Sequence, residues 1–144
     1  MTPDLRKLRQ KIHYVRDSVR RLEELRSRGR VAFLEEPLAE PAAIRLLQVA
    51  IEAVLDAANH IVAREGWGLP KSYREAIDLL IGNGVLPAEA RQRFHEMVAF
   101  RNRAVHLYQE NDADRVFDTI ESDLGDFDLF VDALTERYFT ADRS

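Results

Sequence analysis

An all-α fold, an up-and-down bundle of four long helices with one extra short helix, is what this sequence predicts. Three observations carry the prediction. Apolar residues recur at steps of three and four over long stretches. The six Gly and five Pro gather between those stretches instead of inside them. No segment alternates apolar and polar residues as a half-buried strand does, and no internal repeat or low-complexity tract is present. The 144 residues, 46% hydrophobic and 32% charged, suffice for one real core, so a single domain over residues 1–144 is expected.

The first helix carries its stripe on Leu5, Leu8, Ile12, Val15, Val19, Leu22 and Leu25 and ends before Gly29. Residues 31–40 read as a connection with room for a short helical turn. Pro41 suits the first turn of a second helix, where a missing N–H costs nothing. Its stripe is Ile44, Leu47, Ile51, Val54, Ala58 and Ile61, and it stops before Gly66. Ser72 and Glu75 have capping-box spacing, which opens a short third helix that breaks at Gly82-Asn83-Gly84. Pro87 leads into a fourth helix through Phe94, Met97 and Val98 and beyond. Asn111 or Asp112 caps a fifth, with Val116, Ile120, Leu124, Phe127, Val131, Leu134 and Tyr138 on one face.

Composition narrows the function classes. There is no cysteine, which excludes disulfide and thiolate chemistry and fits a reducing cytoplasm. The N-terminus lacks a signal-peptide core, and no run approaches the roughly 18 uninterrupted apolar residues of a membrane span. A cytoplasmic protein without a membrane role is expected. The net charge of −4 is uneven, +6 over residues 1–30 and −8 over 110–144. Either the chain ends attract each other in the fold, or one pole draws nucleic acid and the other a basic partner.

The chemistry-bearing segment is Phe100-Arg101-Asn102-Arg103-Ala104-Val105-His106-Leu107-Tyr108. On a helix Asn102 and His106 share a face, as do Arg101 and Tyr108, whereas Arg101 and His106 diverge by about 140°. The pair converges if the helix loosens, or if two copies meet across a two-fold axis and bring two arginines and two histidines to one groove. Such a groove suits metal-independent RNA cleavage. An imidazole takes the proton of a ribose 2′-OH, which attacks the adjacent phosphate, while arginine stabilises the charge developing there. The products are a 2′,3′-cyclic phosphate and a 5′-hydroxyl. In the alternative, structural reading, Arg101 pairs with an acidic neighbour, His106 caps a helix end and Tyr108 is core.

The segment, in the form Arg-Asn-x-x-Val-His-x-Tyr, resembles the Arg-x(4–6)-His signature of the HEPN superfamily, and within it the HepT-like branch. Residues 47–52 and 56–61 are similar to that family's second helix, 68–76 to its connection into the third, and 97–102 to its approach to the active site. The resemblance, over roughly residues 5–138, implies the HEPN fold, a homodimer with both motifs facing a shared cleft, and a ribonuclease toxin of a bacterial toxin–antitoxin system. It implies Arg101 and His106 as the catalytic pair, with Asn102 supporting. Tyr108 matches the tyrosine to which a minimal nucleotidyltransferase antitoxin attaches AMP; a bulky anion beside Arg101 would fill the phosphate site. Arg103 either adds to phosphate binding or is solvated. The rival reading is a non-catalytic HEPN scaffold for a nucleotidyltransferase, with Arg101 and His106 making nucleotide or partner contacts.

No cofactor and no metal are expected: His13, His60, His95 and His106 are too scattered for ligand spacing, and no glycine loop cradles a phosphate. Asn59 and His60 are read as structural, hydrogen-bonding across the bundle. His95 is read as solvated, His13 as surface, and Trp67 as a packing plug.

Overall fold

A computed structural model describes the backbone of residues 2–110 and 112–140, and the side chains of 2–104 and 112–140. Among these, seven helices follow in order: α1 (Leu5–Ser27), α2 (Arg30–Glu35), α3 (Ala39–Glu65), α4 (Tyr73–Gly82), α5 (Arg91–Glu110), α6 (Ala113–Ser122) and α7 (Gly125–Tyr138). A 3-10 turn at Ala88–Ala90 leads into α5. The expected all-α architecture stands: α1, α3, α5 and the α6–α7 pair are the four long rods, and α4 is the extra short helix.

α3 is the axis of the molecule. Every other helix packs against it, because its apolar positions cover more than one face. Beyond the expected stripe, Ala50, Ala53, Leu55, Ala57 and Val62 are buried too. The helix is long and apolar enough to cross a membrane by length and composition, with a mean hydropathy of 1.4. Here that apolar surface faces other helices, as in a core helix. Pro41 sits in its first turn, as expected. Gly66 ends it at φ +74°, the left-handed conformation that lets the Trp67 N–H reach back to the Val62 carbonyl at 3.0 Å.

Caps fix the other boundaries. The Asp4 carboxylate accepts from the Arg6 and Lys7 N–H groups to open α1, Ser72 Oγ accepts from Glu75 N–H at 3.1 Å to open α4, and Asp112 accepts from Arg115 N–H at 3.2 Å to open α6. The expected caps at Ser72 and Asp112 are thus found; Asn111 lies outside the described residues.

The expected single fifth helix is corrected to two. After Thr119 accepts from Asp123 N–H, the ladder tightens to i→i−3 bonds, Asp126 N–H to Asp123 and Phe127 N–H to Leu124. Gly125, a weak helix former, follows this step directly. The apolar stripe continues through it, with Val116, Ile120, Leu124, Phe127, Val131 and Leu134 all buried.

The charge asymmetry has a structural use. Arg30 reaches α6, pairing with Asp114, Asp118 and Glu121 while its guanidinium lies 4.8 Å over the Phe117 ring. Phe33 packs on the same ring at 5.3 Å. These contacts dock α2, which leaves Val31 and Leu34 exposed. Within α1, Arg20 and Arg21 pair with Asp17 and Arg26 with Glu23, while Lys11 reaches Asp56 on α3.

His60 is structural, as expected. Its Nε2 accepts from the Asp4 backbone N–H at 2.9 Å, tying the start of α1 to α3. An accepting Nε2 requires the neutral ring. Burial first, then Lys7 and Arg64, hold its pKa below the ordinary histidine value. As pH falls through about 6.5 the unfolded chain takes up this proton and the native ring resists it, so stability declines until the lower native pKa is reached. Thermal melts at pH 7.5 and 5.5 should show a loss in the wild type that shrinks in His60→Gln. An unchanged loss would remove His60 as its source.

Candidate active site

α4 and α5 form an antiparallel hairpin, and the hairpin aims the motif. It turns at Gly82-Asn83-Gly84, where Val85 and Leu86 are buried. Asp78 on α4 accepts from both Arg91 and His95 on α5, the His95 Nε2 contact being 2.8 Å. His95 is therefore half-buried and paired, a correction to its expected solvation, and the pairing lies across the hairpin where helical spacing does not reveal it.

Further along the hairpin, Arg101 lies with its guanidinium carbon 5.2 Å from the centroid of the Tyr73 ring, at the first turn of α4. One terminal nitrogen donates to Asn102 Oδ1 at 3.4 Å. Among the described residues no carboxylate pairs with Arg101, so the acidic neighbour of the structural reading is not there. A cation stacked on a ring keeps the edge of its planar fork free, the geometry that binds a phosphate. Arg101 and Asn102 thus stand together. Tyr73 was visible in the sequence only as a residue inside a capping box, and nothing local marks its contact 28 positions away.

Arg103 faces elsewhere. Two residues on, and about 200° round the helix, it lines a cavity of about 290 Å³ between α3, α5, α6 and α7. Leu47, Ile51, Met97, Phe100 and Phe127 supply the apolar wall; Arg93, Glu96, Asp123 and Asp126 supply charge. Asp126 pairs with Arg93 at 3.2 Å. Burial, then Asp126 and Glu96, push the Asp123 carboxyl above the usual range, and burial does the same to Asp126 against the pull of Arg93. These acids were not anticipated; their signal is the Asp123-Leu124-Gly125 step that opens the corner above the cavity.

The side chains of His106 and Tyr108 lie outside the described residues. Their backbone does not: α5 runs unbroken to Glu110. A regular helix holds position 106 about 140° round from 101, and position 108 two turns along nearly the same line. The helix is not loosened between 101 and 106, so the two positions stay on different flanks of one chain. Among the described residues, no cluster of His, Asp or Glu could hold a metal ion. Trp67 packs against the core with Arg137 5.8 Å over its ring, and His13 is exposed.

Comparison with known proteins bears on the motif. The profile of the ribonuclease HepT-like family matches residues 15–134. The chain is 32% identical to the mRNA nuclease HepT of Shewanella oneidensis over 124 residues, 86% of this chain and 92% of that protein. A solved structure of a tri-AMPylated Shewanella oneidensis HEPN toxin in complex with its MNT antitoxin superposes with a TM-score of 0.81 at 30% identity, covering 90% of this chain and 97% of that one. A cytosolic protein of unknown function from Bacillus subtilis, YutE, shares the fold with a TM-score of 0.76 at 19% identity, over 96% of each chain. The family profile spans most of the chain, the motif included, and the chain belongs to the ribonuclease HepT-like family.

Proposed function

We propose that this protein is a metal-independent endoribonuclease, the cytoplasmic toxin of a bacterial toxin–antitoxin pair, working as a homodimer whose subunits are single domains. Arg101 binds the scissile phosphate and stabilises its developing charge. His106 takes the proton from the neighbouring ribose 2′-OH; a second imidazole, from the other copy, returns one to the departing 5′-oxygen. Asn102 orients the Arg101 fork. The observation that carries this reading is Arg101 over the Tyr73 ring with no carboxylate among the described residues to neutralise it. The unbroken α5 helix supports the dimer, since the two halves of the motif meet only when a second copy lends its own.

The antitoxin is a minimal nucleotidyltransferase that joins AMP to Tyr108. In helical register Tyr108 lies two turns from Arg101, so an attached phosphate there competes for the same cation. The related toxin carrying AMP in complex with its MNT antitoxin supports this assignment.

The test is cleavage of a defined RNA by purified protein in EDTA, after mass spectrometry has excluded AMP on the Tyr108 peptide. Fragments ending in 2′,3′-cyclic phosphate and 5′-hydroxyl are expected, with DNA of the same sequence left whole because it lacks the attacking hydroxyl. RNA left whole by folded, AMP-free protein would sink the reading and put the scaffold ahead.

A further inference from the structure

The geometry points to the cavity at the α6–α7 corner as a base-recognition subsite for a guanine nucleotide of the RNA: Asp123 reads the base edge, Phe100 and Phe127 wall the slot, and Arg103 holds a phosphate. The inference rests on the ribonuclease reading and adds a sequence preference to it.

Size and lining come first. A space of about 290 Å³ lies near the lower end of small-ligand pockets, which admits a nucleotide and excludes a folded segment. Phe100, Phe127 and Met97 are buried side chains that form its apolar floor, so a base entering there loses water from the face laid against them.

The polar groups then select the occupant. The Arg93–Asp126 pair neutralises itself. Arg103 and Asp123 do not: among the described residues neither has an ion-pair partner, although both line the same cavity. The like charges of Asp126 and Glu96 crowd Asp123, and an occupant that brings hydrogen-bond donors to it relieves the crowding. A ligand that satisfies both ends carries an anion at one and paired donors at the other. Guanine presents N1–H and the N2 amino group side by side, matching the two oxygens of a carboxylate. Adenine and cytosine offer one amino donor beside an acceptor, and uracil a lone imino donor, so each leaves one carboxylate oxygen without a partner.

Placement agrees with a role in substrate selection. Arg103 and Arg101 ride the same helix on different flanks, so the strand that meets Arg101 reaches the cavity by crossing α5.

Nucleoside monophosphates contain no cleavable diester, so binding can be measured on the active protein. Calorimetric titration with GMP should give a Kd about tenfold or more below that for AMP. Asp123→Asn should abolish that preference and leave AMP binding as it was. Arg103→Ala should weaken GMP and AMP alike. Both residues are exposed, and melting curves check that the variants fold. Equal binding of the two nucleotides, or a preference that survives Asp123→Asn, overturns the subsite. So does a result in which the variants change the sedimentation of the dimer but not nucleotide binding, because a second copy then fills the cavity. RNA cleavage without a GMP preference removes the subsite and spares the nuclease; a GMP preference without cleavage does the reverse.

Discussion

Arg101→Ala lowers the rate of RNA cleavage by about 10²–10³-fold, the range found when one preorganised donor to a developing oxyanion is removed. Arg101 is only half-buried, and its contacts are one ring face and one long hydrogen bond. Losing the stack costs about 1 kcal/mol or less of stability, so the melting temperature moves little while activity collapses. Arg101→Lys separates charge from geometry. An ammonium keeps the charge but cannot present two parallel N–H bonds or lie flat on Tyr73, so activity is restored only in part. His106→Ala has a comparable effect, about 10²–10⁴-fold for the loss of a general acid–base. Single-turnover cleavage with a defined RNA, alongside melts of each variant, measures both quantities. If Arg101→Ala cleaves like wild type, the arginine is a packing residue and the scaffold reading gains.

The second large effect is on stability. Phe94→Ala should cost about 3–5 kcal/mol, the range for truncating a buried aromatic, against about 5–15 kcal/mol for a typical domain. Phe94 is 1% exposed and meets the Phe130 ring edge-on, with centroids 6.1 Å apart. It therefore ties α5 to α7 as well as filling the core. The surrounding helices cannot close the space without bending, so a cavity persists and adds to the lost transfer energy. Phe94→Leu, which keeps most of the volume, should cost about 1.5 kcal/mol or less. Urea unfolding measures both, and a Phe94→Ala cost near that of Phe94→Leu would mean that the site collapses freely. Below the midpoint, cleavage per folded molecule should stay at the wild-type level, which distinguishes this loss from that of Arg101→Ala.

What the sequence disclosed and what it withheld divide along the range of the interactions. Helix stripes and caps are local: Ser72 acts within three residues of itself, and so does Asp112. The α6–α7 break was hidden for the opposite reason, since the stripe from Val116 to Leu134 continues through it in register. An apolar pattern reports which side faces the core; a switch in hydrogen-bond span leaves no mark on it. The pairs of His95 with Asp78, His60 with Asp4 and Arg101 with Tyr73 join residues on different helices, and no spacing rule reaches across a bundle.

The candidate site shows the same division. Helical arithmetic on positions 101, 103, 106 and 108 was enough to state who shares a face with whom. It could not say that Arg101 has no acidic partner among the described residues, nor that Arg103 opens onto a cavity. Both depend on what α4, α6 and α7 bring alongside α5. The motif itself was legible because its residue types are out of place on a helix flanked by apolar positions.

The Arg30 clamp also sets an order of events at the ribosome. Arg30 and Phe33 leave the exit tunnel long before Phe117 and the acids of α6, and the Arg30–Asp114 bond spans 84 positions. Until then α1 and α3 can pair, but α2 lacks its α6 contacts, and Phe33 has no Phe117 ring to pack on. The nascent chain meanwhile offers an unfinished apolar edge for chaperones to hold. Arg101 emerges in this interval, before α6 and α7 exist to brace α5.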